Sequence, residues 1–266
     1  MTAIATYETI LPRLWIYSNY DCNLSCSYCV VMASPKAERR GIPYNMFCQL
    51  VDEAADLGLD RIFVTGGEPF LLPDIFDKLA YASGKVHTTV LTNAMLFSGK
   101  RLGQLKTLVG RNVSMQVSLD GPDAESHNAY RGPGAWEKGV QGIRTLQELG
   151  FTVYVGSTET PANSAKLDKL RSFVDSLGIP EERHYIRKLA RRGASADGID
   201  LTVNHLIPEL TVNIDGVFWH PFGTEGDMML TRNIFPLADA VRLMSERYRD
   251  ILHSGYSPER FHCGVV

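Results

Sequence analysis

Cys22-Asn23-Leu24-Ser25-Cys26-Ser27-Tyr28-Cys29 places three cysteines within eight residues, spaced C-x3-C-x2-C. A thiolate is a soft ligand, suited to zinc or to an iron–sulfur cluster. Three thiolates on one short loop can converge on a single metal centre without closing a distant chain segment. A four-iron cluster usually has four cysteine ligands, one per iron. Only three are local here, and the next, Cys48, lies beyond a predicted helix. One iron is then left for a non-protein ligand. A zinc site needs four ligands, and no histidine precedes His87. Disulfides fit poorly with five cysteines and no secretory signal. Cysteines that merely fill a core are the third reading of this spacing.

Outward from the loop, strand-like and helix-like patterns alternate at intervals of roughly 30 residues, which points to βα units and a parallel sheet. Arg13–Tyr17 (RLWIY) reads as the first strand and feeds the cysteine loop. Residues 44–57 carry an apolar stripe at Phe47, Leu50, Val51, Ala54 and Leu57, with Gly58 as the stop. Arg61–Thr65 is a second strand that runs straight into Gly66-Gly67-Glu68-Pro69. The two glycines let the backbone approach a ligand or take positive φ. Glu68 would stand at a strand's C-terminal end, where barrel sites lie. Further strands are predicted at 87–91, ending in Thr92-Asn93, and at 113–119, closing on Asp120-Gly121. Two more follow at 152–156 and 184–189, with helices at 75–82, 102–109, 136–149 and 166–177 between them. Ser118 and Asp120 alternate with apolar residues, so both can point to one face; a strand end with an Asx turn is the plainer account. The stretch 193–200 reads as a linker, dividing the chain into 1–192 and 193–266. In the tail, alternation on either side of Asp215-Gly216 predicts a β-hairpin, and 237–252 a last helix.

Cysteines spaced C-x3-C-x-aromatic-C after a first strand resemble the radical S-adenosylmethionine (SAM) superfamily, with Tyr28 in the aromatic position. Gly66-Gly67-Glu68-Pro69 matches that family's GGEP element residue for residue, and Ser118-Leu119-Asp120 resembles its strand-tip motif. His127-Asn-Ala-Tyr-Arg131-Gly132 is similar to the subgroup with SPASM or twitch extensions, whose members modify peptides and small molecules. The resemblance implies an α/β fold: a partial (β/α)6 TIM-like barrel with an open side, extended by a short C-terminal β-hairpin and helix. It implies a [4Fe-4S] cluster on Cys22, Cys26 and Cys29, whose open iron chelates the amino and carboxylate groups of SAM. One electron from an external flavodoxin- or ferredoxin-type donor then cleaves SAM to methionine and a 5′-deoxyadenosyl radical, which abstracts a substrate hydrogen. The implied SAM contacts are Gly66, Gly67, Glu68 and Pro69 at the amino group, and Ser118 and Asp120 at the ribose. Tyr28 and Asn93 complete the set, with Arg131 at the carboxylate unless it is a solvated loop arginine.

The tail departs from the pattern. His220-Pro221 stands where a cysteine for an auxiliary cluster is expected, and Cys263 is the one cysteine in the tail. A single cluster is therefore expected, with His205 and His220 as surface histidines. Without a second cluster to accept an electron, a redox-neutral outcome needs a hydrogen atom returned. Radical epimerases of the superfamily use a cysteine thiol for this, which makes Cys263 the expected donor and Cys48 the second choice. The leading expectation is an epimerase or related hydrogen-transfer enzyme acting on a natural-product intermediate or peptide. A dehydrogenase or peptide-modifying maturase is the alternative, weakened because 21 residues before Cys22 are too few for a leader-binding domain. A non-catalytic zinc or scaffold protein is the third.

With 44% hydrophobic and 21% charged residues, the chain reads as an ordinary globular protein with enough apolar material for a sizeable core. A net charge of −3 makes no electrostatic case for nucleic acid or an anionic membrane. The basic run lies at 183–192, and four cations at 187–192 suit a substrate phosphate or carboxylate; a solvated strand exit is the alternative. The N-terminus lacks a signal-peptide pattern, no apolar run reaches the ~20 residues of a membrane span, and reduced cysteines point to the cytoplasm.

Overall fold

In the computed structural model, residues 12–201, 205–222 and 226–254 are described. Six parallel strands carry the architecture: β1 (Arg13–Tyr17), β2 (Arg61–Thr65), β3 (His87–Thr92), β4 (Val113–Ser118), β5 (Thr152–Glu159) and β6 (His184–Lys188). They lie side by side in chain order, each joined to the next by a helical crossover. The helices are α1 (Tyr44–Asp56), α2 (Ile75–Ser83), α3 (Gly99–Leu105), α4 (Ala124–Arg131), α5 (Ala135–Glu148) and α6 (Leu167–Ser176). Leu14, Ile16, Ile62 and Val64 are fully buried in the same core cluster as Phe47, Leu50, Val51 and Ala54 of α1. This explains why the central strands read as near-continuous apolar runs: a parallel sheet is covered on both faces.

On the other side of β1 the tail continues the same sheet. β7 (Leu210–Asn213) pairs parallel with β1, and β8 (Gly216–Phe218) and β9 (Met229–Thr231) follow antiparallel. α7 (Leu237–Ser254) closes the described chain. The nine strands form one sheet whose edges, β6 and β9, do not pair with each other. The result is the expected partial barrel with its hairpin and helix extension. The hairpin turn forms where Asp215-Gly216 predicted it, because Asn213 Oδ1 accepts from the Asp215 and Gly216 amides at 2.7 and 3.1 Å. Arg40, from the segment after the cysteines, grips Asp215 through two hydrogen bonds of 2.6 and 2.8 Å.

Two elements had no counterpart in the sequence reading. α4 buries Ser126, His127 and Arg131, polar residues that leave no apolar stripe. β9 is three residues long. β5 also runs past the predicted end to Glu159, because Ser157 and Thr158 are buried and hydrogen-bonded rather than apolar. Among the described residues, no helix is long and apolar enough to cross a membrane.

At the β1–β7 junction, Trp15 stacks on Phe63 with ring centroids 4.2 Å apart and donates its indole N–H to Glu209 at 2.5 Å. The Arg13 guanidinium lies 4.0 Å from the same carboxylate, and all three side chains are buried. Glu209→Ala should cost about 2–4 kcal/mol, because it strands a buried donor and a buried cation. Glu209→Gln, which keeps an acceptor for Trp15, should cost less than half of that; urea unfolding midpoints measure both.

Candidate active site

The cysteine loop is fixed by backbone hydrogen bonds to the tip of β2. The Gly67 amide donates to the Asn19 carbonyl at 2.9 Å and the Glu68 amide to the Asp21 carbonyl at 3.0 Å. The approach is close enough to require glycine. A Cβ on Gly67 would lie 2.1 Å from the Asp21 carbonyl oxygen, and one on Gly66 (φ +143°) 2.4 Å from that of Asn19. The glycine pair thus admits the chain segment that carries Cys22, a role the motif alone did not show. Asn19, fully buried, reinforces the contact by donating to the Asp21 and Glu68 carbonyls at 2.9 and 3.1 Å.

Glu68 is 1% exposed. One carboxylate oxygen accepts from the Phe70 amide (3.2 Å) and the Thr92 hydroxyl (2.8 Å), the other from the Asn93 amide (2.8 Å). It braces the tips of β2 and β3 together, and neither it nor Pro69 lines the cleft described below. Burial pushes the Glu68 carboxyl up to about 7, with its three hydrogen bonds acting the other way. Asn93 turns its side-chain amide to Asn23 at 2.8 Å, with the Cys22 sulfur 4.0 Å away.

The opposite wall is organised by Asp120, which has no exposed surface. Its carboxylate accepts from Arg131 Nε (2.6 Å), the Thr158 amide (2.9 Å) and the Tyr28 hydroxyl. Its amide donates to His127 Nδ1 at 3.0 Å, and its carbonyl accepts from Asn163 Nδ2 at 2.5 Å. Burial alone would raise the Asp120 carboxyl, but Arg131 beside it holds it below the usual carboxylate range. Burial likewise works against the Arg131 cation, yet Asp120 keeps its pKa well above the usual value. The pair is ionised. α4 also holds the cysteine loop directly, since the Ser27 amide donates to the Tyr130 carbonyl at 3.0 Å.

Between these walls lies an open cleft with a cavity volume of about 150 Å³. Cys22, Cys26 and Cys29 line it, together with Tyr28, Gly66, Gly67, Asn93, Ser118 and Arg131. The structure therefore gathers most of the residues singled out from the sequence and sets Glu68, Pro69 and Asp120 behind the wall as braces. Arg131 is a buried ion-pair partner rather than a solvated loop residue. Cys48 is half-buried on α1 and does not reach the cleft; Cys263 lies outside the described residues.

The sequence reading missed Trp15, Thr92, Pro221 and Phe222, which also line the cleft. Pro221 accepts a hydrogen bond from Tyr17, seating the segment after β8 over the cleft. His220 is fully buried, contrary to the surface position expected, with Nδ1 accepting from the Phe222 amide at 3.0 Å. The basic run divides: Arg187 faces the cleft, donates to the Thr158 hydroxyl at 3.2 Å and lies 5.9 Å from the Phe222 ring centre. Arg191 and Arg192 pair instead with Asp200 (3.5 Å) and Asp227 (2.9 Å).

The donor set fits a multi-iron group. Burial pushes the Cys22 thiol up to about 12 and also raises Cys26, against which Arg131 acts. Such thiols stay protonated near neutral pH unless a soft metal ionises them. Among the described residues, no three His, Cys, Asp or Glu side chains are placed to hold a single metal ion; the three cysteines line one cleft.

Residues 16–162 match the family model described as the Radical SAM superfamily. The chain belongs to the radical SAM superfamily. It is thus an enzyme of a family whose cofactors are a [4Fe-4S] cluster and SAM. The chain is 33% identical over 163 residues to an AdoMet-dependent heme synthase of Nitratidesulfovibrio vulgaris, covering 60% of this chain and 42% of that protein. It is 27% identical over 180 residues to the mycofactocin maturase MftC of Mycolicibacterium smegmatis, covering 67% and 44%. The chain thus spans less than half the length of either relative. In fold it is similar to Streptococcus suis SuiB bound to S-adenosylmethionine, with a TM-score of 0.60, 18% identity, and coverage of 96% of this chain and 50% of that one.

Two measurements check this description. Gly67→Ala should lower stability by about 3 kcal/mol or more in denaturant unfolding, because a backbone oxygen cannot yield to the added Cβ. His127 is held neutral, since burial and then Arg131 push it down to about 4 from an ordinary 6.5. A depressed histidine contributes stability that is whole above the unfolded pKa and is lost as pH falls toward the folded one. Glu68, raised by burial, acts in the opposite sense, so the comparison is with His127→Asn, which keeps an acceptor for the Asp120 amide. From pH 7 to pH 4.5 the unaltered protein should lose roughly 2–3 kcal/mol more than this variant.

Proposed function

We propose that Cys22, Cys26 and Cys29 hold the [4Fe-4S] cluster and that SAM occupies the adjoining cleft. The observation that carries this is the convergence of those three thiols with the glycine pair, Asn93, Ser118 and Arg131 on one cavity. When bound, the two cofactors supply a carbon-centred radical able to remove a hydrogen atom from an unactivated C–H bond. The residues of this chain position and protect that chemistry. Gly66 and Gly67 line the cleft where the SAM amino group would lie, and Asn93 and Ser118 offer polar edges on the neighbouring strand tips. Asp120 engages Nε and Nη2 of Arg131, which leaves Nη1 to meet a carboxylate in the cleft. Tyr17 and Phe222 exclude water at the mouth, and Arg187 meets an anionic group on the substrate. An external flavodoxin- or ferredoxin-type donor supplies the electron, and a cytoplasmic setting suits the reduced thiols.

The reaction proposed is a redox-neutral epimerisation or related hydrogen transfer on a natural-product intermediate or peptide, with Cys263 returning the hydrogen atom. Its support is that, among the described residues, the one cysteine besides the loop trio is Cys48, which does not line the cleft. A peptide-modifying maturase or dehydrogenase is the second reading, favoured by the likeness to a protein named as a maturase.

Anaerobically reconstituted protein given SAM and reductant should form 5′-deoxyadenosine, and Cys26→Ala should abolish this; turnover that survives the substitution contradicts the assignment. Iron near four per chain supports one cluster, and near eight the second reading. In deuterated water the product of the hydrogen-transfer reaction should carry deuterium at the reacting carbon, lost in Cys263→Ala; unchanged labelling in that variant counts against the proposed donor.

A further inference from the structure

We infer that the buried Asp120–Arg131 ion pair tunes the cysteine-bound cluster: Arg131 is a positioning residue that fixes a positive charge on the cleft lined by the three cysteines, and Asp120 holds it there. The inference rests on the proposed function in taking the three cysteines as cluster ligands. The pair has a direction. Arg131 lines the cleft with Cys22, Cys26 and Cys29, whereas Asp120 lies behind the wall. The cationic end therefore faces the cleft that the three cysteines line, and the anionic end faces the protein.

Several bonds hold that direction. Asp120 grips Arg131 through Nε and Nη2 at 2.6 and 3.4 Å. It is itself fixed from β5 by the Thr158 amide and from α4 by His127. The Tyr28 hydroxyl bonds the same carboxylate, and the Arg131 guanidinium stands 5.4 Å from the Tyr28 ring centre. Tyr28 lies between Cys26 and Cys29, so the arrangement joins charge and ligand loop in one unit. Arg131 is 8% exposed, so water and salt screen its field only weakly. A fixed cation near the ligating sulfurs stabilises the more negative, reduced cluster and raises its potential.

The test is the midpoint potential of the reconstituted cluster, followed by EPR during redox titration, in three variants of the full chain. Asp120→Asn removes the anion and should shift the potential upward. Adding Arg131→Gln on that background removes the cation without leaving an unpaired buried charge, and should shift the potential back down. Arg131→Lys keeps the charge and should stay close to the unaltered protein. Circular dichroism and iron content confirm that each variant is folded and loaded. Equal potentials for Asp120→Asn and the double variant overturn the inference. Failure of the unaltered protein to take up iron overturns instead the reading of the cysteines on which it rests.

Discussion

The Asp120 carboxylate is buried without surface, and it stays charged because Arg131, Tyr28 and the Thr158 amide converge on it. Four parts of the chain meet there: the tip of β4, the start of α4 through His127, its end through Arg131, and the tip of β5. The cysteine loop is the fifth, tied in through Tyr28. Removing one partner of such a buried pair usually costs about 3–5 kcal/mol, because the other charge is left uncompensated. The mouth of the barrel is therefore rigid on this side for an electrostatic reason, and rigidity there anchors the Tyr28 end of the cysteine loop.

The other side is held chiefly by close backbone contact. Asn19 and Asp21 carbonyls take the Gly67 and Glu68 amides, and the glycines exist so that two chain segments can touch. Glu68 then ties β2 to β3 through Thr92 and Asn93. The two walls differ in kind, one ionic and one made of close-packed amides. Between them the cysteine loop needs no regular structure of its own. The tail completes the enclosure, with Arg40 bound to Asp215 and Tyr17 to Pro221.

Much of this was legible in the sequence. β1 and β2 were predicted with the bounds they have, because RLWIY and RIFVT are short β-prone runs bordered by turn residues. The cysteine spacing and the GGEP element located the cleft. What was not legible depends on partners far apart in the chain. Asp120 and Glu68 sit at strand ends, where a free carboxylate would meet a ligand. Their real partners, Arg131 for Asp120 and the Thr92 hydroxyl and Asn93 amide for Glu68, become visible only once the strands are adjacent. α4 escaped because its buried face is Ser126, His127 and Arg131, although Asp123, which caps it by accepting from the Ser126 amide at 2.9 Å, was a readable start signal. His220 was read as exposed because polar residues usually are; here it is fully buried, with Nδ1 bonded to the Phe222 amide.

A set of three thiolates that leaves one iron open, next to a cleft built for a small polar ligand, is the claim on which the rest stands. The most direct measurement is the EPR spectrum of the reduced, reconstituted protein recorded without and then with SAM. The account predicts a four-iron signal whose g-values change when SAM is added, because the ligand joins the open iron. A spectrum that SAM leaves unaltered, in protein that carries its full iron, would contradict it.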